Sequence, residues 1–148
     1  DSDTQGAAYN TKQAQVAIAN GGFTGEGLFE GEQTQLNYVP EQHTDFIFTV
    51  VGEELGFVGG VVVLGLLGVI VWRIWRTAQL SRDEYGMLVC VGVLSMVVFQ
   101  VFENAGMTMG IMPVTGIPLP FVSYGGSAIL TECAAMGLVL SVHMRRFT

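Results

Sequence analysis

Read only for apolar and polar positions, the chain splits into a polar first third and a long apolar remainder that charge interrupts in few places. No charged residue falls between Glu54 and Arg73 or between Glu84 and Glu103, and Glu132 alone breaks the stretch from Glu103 to Arg145. Each run supplies the roughly 20 residues that cross about 30 Å of hydrocarbon. Three transmembrane helices are therefore predicted, near 46–75, 85–111 and 121–144. A soluble bundle of buried helices is the competing reading, and uncharged runs of this length disfavour it. Ahead of the spans, Ala7 to Asn20 mixes Ala, Gln, Val and Ile up to the stop Asn20-Gly21-Gly22, which predicts a short helix lying along the membrane surface. Five glycines between Gly21 and Gly31 then predict a turn-rich loop. Pro40 biases Val39 toward an extended conformation and sets a helix start soon after it.

Inside the first span, Gly52, Gly56 and Gly60 recur every fourth residue, a stripe that lets another helix approach closely, with the partner expected outside this chain. Between the second and third spans, "NAGMTMGIMPVTGIPLPFVSYGGSA", residues 104–128, holds three prolines and five glycines. That content forbids a continuous helix, yet the segment is too apolar for a solvated loop. Irregular backbone at membrane depth must be covered by protein or line a cavity, so the segment reads as part of a cavity wall.

Composition agrees with an all-α polytopic membrane protein: 50% of the 148 residues are hydrophobic and 13% charged. Charge adds orientation. Arg73, Arg76 and Arg82 mark the link between the first two spans, and Arg145 and Arg146 mark the C-terminus. With three spans both places fall on one side, which the positive-inside rule makes cytoplasmic. Residues 1–45 and the connection from Met112 to Pro120 then face outward. The outer segment carries seven acids, from Asp1 to Asp45, against the single base Lys12. A net charge of -7 argues against a nucleic-acid partner. Cys90 and Cys133 lie within predicted spans as inert thiols, and no metal-ligand spacing, phosphate-binding glycine loop or nucleophile elbow occurs. No signal-peptide pattern precedes Asp1, and three helices scarcely enclose a polar site, so the chain reads as one part of a larger membrane protein.

The candidate chemistry sits at the threshold of the first span. Asp45 either caps the helix, in competition with Thr44, or acts at the mouth of a membrane cavity, where carboxylates are costly and often functional. His43 and Glu41 either tune it or are solvated surface residues. On a continuous helix Gly52 and Gly56 fall within about 20° of Asp45, Glu53 about 80° away and Glu54 about 180° away. Glu53 alone could then share its cavity, and Glu54 is assigned an inter-helix hydrogen bond. Glu103 comes back near the outer interface, with Asn104 beside it. Glu132 lies about 16 Å into the third span if that span begins at Phe121, either paired with a polar group of a helix outside this chain or lining a polar path. Ser123, Tyr124 and Ser127, around the Gly125-Gly126 break, either bind a head group or satisfy the broken backbone.

"PEQHTDFIFTVVGEELGFVG" followed by "NAGMTMGIMPVTGIPLPFVSYGGSA" closely resembles the C-terminal part of the SEDS proteins (shape, elongation, division and sporulation), and "PVTGIPLPFVSYGGS" is more similar to the elongation type, RodA, than to the division type, FtsW. The resemblance extends over nearly the whole chain. It implies a large outer loop plus the last three of about ten spans in a bacterial plasma membrane, with the preceding spans as partners in the fold. It further implies a glycosyltransferase that polymerises peptidoglycan glycan strands from lipid II, alongside a class B penicillin-binding protein. The aspartate matching "HTDF" is Asp45, the family's catalytic carboxylate. A sugar hydroxyl attacking an anomeric carbon needs one general base, and inversion there needs no second, nucleophilic carboxylate. The departing diphosphate needs positive charge. Lys12 is the lone outer base, so the remaining spans or a divalent cation, Mg or Mn, are expected to supply it, with no organic cofactor. A transporter of lipid-linked precursor, using Glu132 and Glu103, and a non-catalytic scaffold are the rival readings.

Overall fold

The computed structural model describes residues 2–25, 27 and 47–147. The described residues form five helices: α1 Ser2–Gly21, α2 Ile47–Glu54, α3 Gly56–Gln79, α4 Glu84–Thr108 and α5 Gly126–Arg145. Three of them, α3, α4 and α5, are long and apolar enough to cross a membrane at 24, 25 and 20 residues. At 1.5 Å per residue they reach about 30 Å or more, the thickness of a hydrocarbon core. The chain is a multi-pass, all-helical membrane segment.

A tight turn makes α3 and α4 antiparallel neighbours. Leu80 donates its backbone N–H to the Arg76 carbonyl, the Ser81 hydroxyl donates to the Asp83 carbonyl, and extended Asp83 opens α4. Ile74 and Ala78 of α3 pack with Cys90, Val93 and Val97 of α4 and Val139 of α5. A second core joins Phe48 of α2, Leu67 of α3 and Leu119 of the α4–α5 connection. Elsewhere the spans present Leu66, Trp72, Leu88, Phe99, Leu130 and Leu140 outward, as helices facing lipid or further spans do.

Two features differ from the sequence-based expectation. The stretch read as one span from 46 to 75 is divided at Leu55, where α2 ends and Gly56 takes φ +68°. The third long helix begins at Gly126 instead of Phe121, because the proline-rich connection stays irregular up to Gly125. α1 starts before Ala7 and lies across the end of the bundle, with Ala14, Ala17 and Gly21 buried along one stripe. Ala14 meets Met107 of α4, and the Gln15 side-chain amide donates to the Met109 carbonyl at 2.7 Å.

Candidate functional site

The end of the bundle that carries α1 and α2 is built around the break at Leu55. A helix start leaves its first N–H groups without intrahelical partners, and no side chain caps α3. The loop after α1 does so instead: Phe57 and Val58 donate to the carbonyls of Gly22 and Phe23, and Gly27 donates to the Glu54 carbonyl. This seal requires backbone on backbone. A Cβ on Gly21 would collide with the Gly52 carbonyl, and one on Gly25 or Gly56 would collide with the facing strand of the seal. At Gly52 the close neighbour is Ile18, whose Cγ1 would lie 3.0 Å from an added Cβ.

The glycine stripe expected to receive a helix from outside the chain therefore receives α1 and its own loop at Gly52 and Gly56, while Gly60 faces Phe48. Glu53, fully buried at 0% exposure, lies under this seal, and Glu54 is also buried. An apolar cleft of about 160 Å³ opens beside it, lined by Ile18, Phe48, Gly52, Phe57, Gly60 and Leu64 among others.

The connection from Met109 to Gly125 is held in place by side chains of the long helices. From α4, Glu103 accepts a hydrogen bond from the Thr115 hydroxyl at 3.1 Å, and the Asn104 amide donates to the Ile117 carbonyl at 2.9 Å. Two residues further on, a closed turn runs from Leu119 to Ser123. The Leu119 N–H donates to Ser123 Oγ at 2.8 Å, and the Ser123 N–H returns a bond to the Leu119 carbonyl at 3.1 Å. At its centre Phe121 adopts φ +62°, the only non-glycine residue with positive φ among those described. Its N–H is captured by Glu132 Oε2 of α5 at 2.7 Å, a short, charge-assisted bond.

Within the chain Glu132 is paired with backbone, and because α5 starts at Gly126 it lies only about 9 Å from that helix's beginning. Ser123 satisfies the broken backbone, while Tyr124 is 77% exposed and Ser127 is exposed, its carbonyl accepting from Thr131. Lys12 is exposed on α1. Asp45, His43 and Glu41 lie outside the described residues, as does most of the acidic loop. The wheel placing Gly56 near the direction of Asp45 does not carry across the break at Leu55. Among the described residues no three of His, Cys, Asp and Glu converge as a metal site. Sequence reasoning missed Gln15 and Thr115, since hydrogen bonds spanning 94 and 12 residues leave no local signal.

The model of the FtsW, RodA and SpoVE family, described as cell cycle protein, matches residues 1–147. The peptidoglycan glycosyltransferase MrdB of Escherichia coli K12 is 44% identical over 147 residues, which is 99% of this chain and 40% of MrdB. The stage V sporulation protein E of Bacillus subtilis is 44% identical over 140 residues, 95% of this chain and 38% of that protein. Among solved structures, a chain of a peptidoglycan synthase complex that coordinates polymerization and crosslinking superposes with TM-score 0.75 at 37% identity, over 93% of this chain and 38% of that one. RodA, the rod shape determining protein of Thermus thermophilus, gives 0.67 at 44% identity over 73% and 36%. The chain thus spans about 40% of the length of the relatives it matches.

Proposed function

The chain belongs to the FtsW, RodA and SpoVE family of cell cycle proteins, and from that premise we propose that the protein polymerises lipid II into peptidoglycan glycan strands, with Asp45 as general base. The observation that carries this reading is the 44% identity, over 99% of the chain, to a protein named peptidoglycan glycosyltransferase. The site's architecture supports it. Asp45 stands two residues before α2, and α2 leads into a rigid end of the bundle. There the glycine seal and the Glu132-held turn brace the described residues, and the apolar cleft beside the seal suits the lipid half of such a substrate.

In the proposed step the Asp45 carboxylate takes the proton of a sugar hydroxyl as its oxygen attacks the anomeric carbon of a second sugar. The bond from that carbon to the lipid diphosphate breaks, and the diphosphate departs with the electron pair. Positive charge for the leaving group comes from outside the described residues or from a divalent cation held there, with exposed Lys12 the one base on this end of the chain. The "PVTGIPLPFVSYGGS" wording favours elongation over division. We further infer that a class B penicillin-binding protein supplies the crosslinking step, as expected beside a polymerase similar to a chain of a complex that does both. Residues 1–45 are assigned to the outside and the C-terminus to the cytoplasm.

A flippase built on Glu103 and Glu132 is disfavoured because both carboxylates are engaged, by Thr115 and by the Phe121 N–H. The deciding experiment gives lipid II to the intact protein with its crosslinking partner and follows glycan length by gel. Strands that lengthen with time are expected. Lipid II carried across a vesicle membrane without any strand formation would replace this reading with transport.

A further inference from the structure

All five arginines of the chain gather at the end of the bundle remote from α1, where α3 and α5 end and α4 begins. There a cavity of about 310 Å³ lies between α3 and α5, lined by Arg73, Arg76, Thr77, Leu80, His143 and Arg146. Three arginines and a histidine thus line one space, and no acid lines it. None of the three arginines has a carboxylate partner among the described residues. His143 Nδ1 is buried with no hydrogen-bond partner among the described residues, a costly arrangement for a polar atom. Trp72 lies between Arg73 and Arg76, 5.7 and 5.6 Å from the two guanidinium carbons, which steadies both. Trp72 and Trp75 are about half exposed, the position of an aromatic belt at head-group depth.

Arginines at the C-terminal ends of α3 and α5 also complement the helix dipoles. That accounts for their positions along each helix but not for their convergence on one cavity with an unpaired imidazole. We propose that this cavity binds the phosphodiester head group of an anionic phospholipid of the inner leaflet. Its volume is about ten times a water's share of liquid, about 30 Å³, enough for a phosphate and its glycerol. Arg76 and Arg146 engage the phosphate oxygens from opposite helices, His143 adds a hydrogen bond, and the acyl chains run along the exposed apolar faces of α3 and α5. A lipid so held clasps the two spans at their cytoplasmic ends.

The test uses the intact membrane protein in phosphatidylcholine nanodiscs carrying stepped amounts of phosphatidylglycerol, with retained lipid counted by native mass spectrometry. Wild type is expected to retain phosphatidylglycerol in preference to phosphatidylcholine. Arg76→Gln with Arg146→Gln removes two charge-assisted contacts to the phosphate and is expected to weaken retention by about 100-fold or more. Arg82→Gln with Arg145→Gln removes the same charge from the same end but outside the cavity, and leaves retention nearly unchanged. Leu80→Phe narrows the cavity, keeps every arginine, and is expected to lower retention as well. Equal weakening by the two arginine pairs would reduce the effect to diffuse surface charge and overturn the site. Wild type holding no phosphatidylglycerol above background, or binding inorganic phosphate while holding no lipid, would also overturn it.

Discussion

Glu132 shows what one residue decides at this site. Its carboxylate holds the N–H of Phe121 in a left-handed conformation that costs a non-glycine residue about 1–2 kcal/mol. The turn this fixes places Leu119 in the core with Phe48 and Leu67. Glu132→Ala leaves the N–H unpaired and is expected to destabilise the protein by about 1.5–3 kcal/mol, the range for a hydrogen bond to a charged group, read as a lower melting temperature in detergent. Glu132→Gln keeps an acceptor and is expected to retain most of that stability; equal loss in the two variants would mean that the charge, not the acceptor, holds the turn. The importance of Glu132 was legible in the sequence, since a lone carboxylate in a long apolar run has to be engaged. Its partner was not, because no pattern marks a phenylalanine after Pro120 as left-handed, and the assumed helix start at Phe121 set the depth wrong.

At the scale of elements, uncharged run lengths gave the three spans, and the prolines gave the irregular connection. The break between α2 and α3 escaped detection because Gly56, the left-handed glycine at the break, is one of four glycines in "VVGEELGFVGG" and reads equally well as part of a packing stripe. Its cause is tertiary: carbonyls of Gly22 and Phe23 replace the cap that α3 lacks. Gly56 combines positive φ with a close approach to Phe23 and Gly25. Gly56→Ala is therefore expected to cost at least about 1–2 kcal/mol and to loosen α1, exposing it to protease. Gly65→Ala, in α3 with nothing within 4 Å of an added Cβ, is expected to be tolerated. Equal protease sensitivity in the two variants would remove the seal from the account.

Across the whole molecule, arginine is sorted by end. Glu53, Glu54, Glu103 and Glu132 lie toward the α1 end and every arginine toward the other, where Asp83 and Glu84 are the accompanying acids. The positive-inside rule turns that polarity into an orientation. Lys12→Cys is expected to react with a membrane-impermeant maleimide on intact cells, and Arg145→Cys only after the membrane is opened; the reverse pattern would invert the topology and move Asp45 away from the outer surface. The likeness to relatives of about two and a half times this length fits the broad apolar faces left uncovered on α3, α4 and α5, which three helices alone do not bury.

The central claim is that Asp45 is the base for glycan polymerisation, and its most direct test is Asp45→Asn in the intact complex supplied with lipid II, since asparagine keeps the shape and removes the charge. The expected result is loss of glycan strands with unchanged expression and partner binding. Undiminished strand synthesis by Asp45→Asn would contradict the claim and place the chemistry on another group.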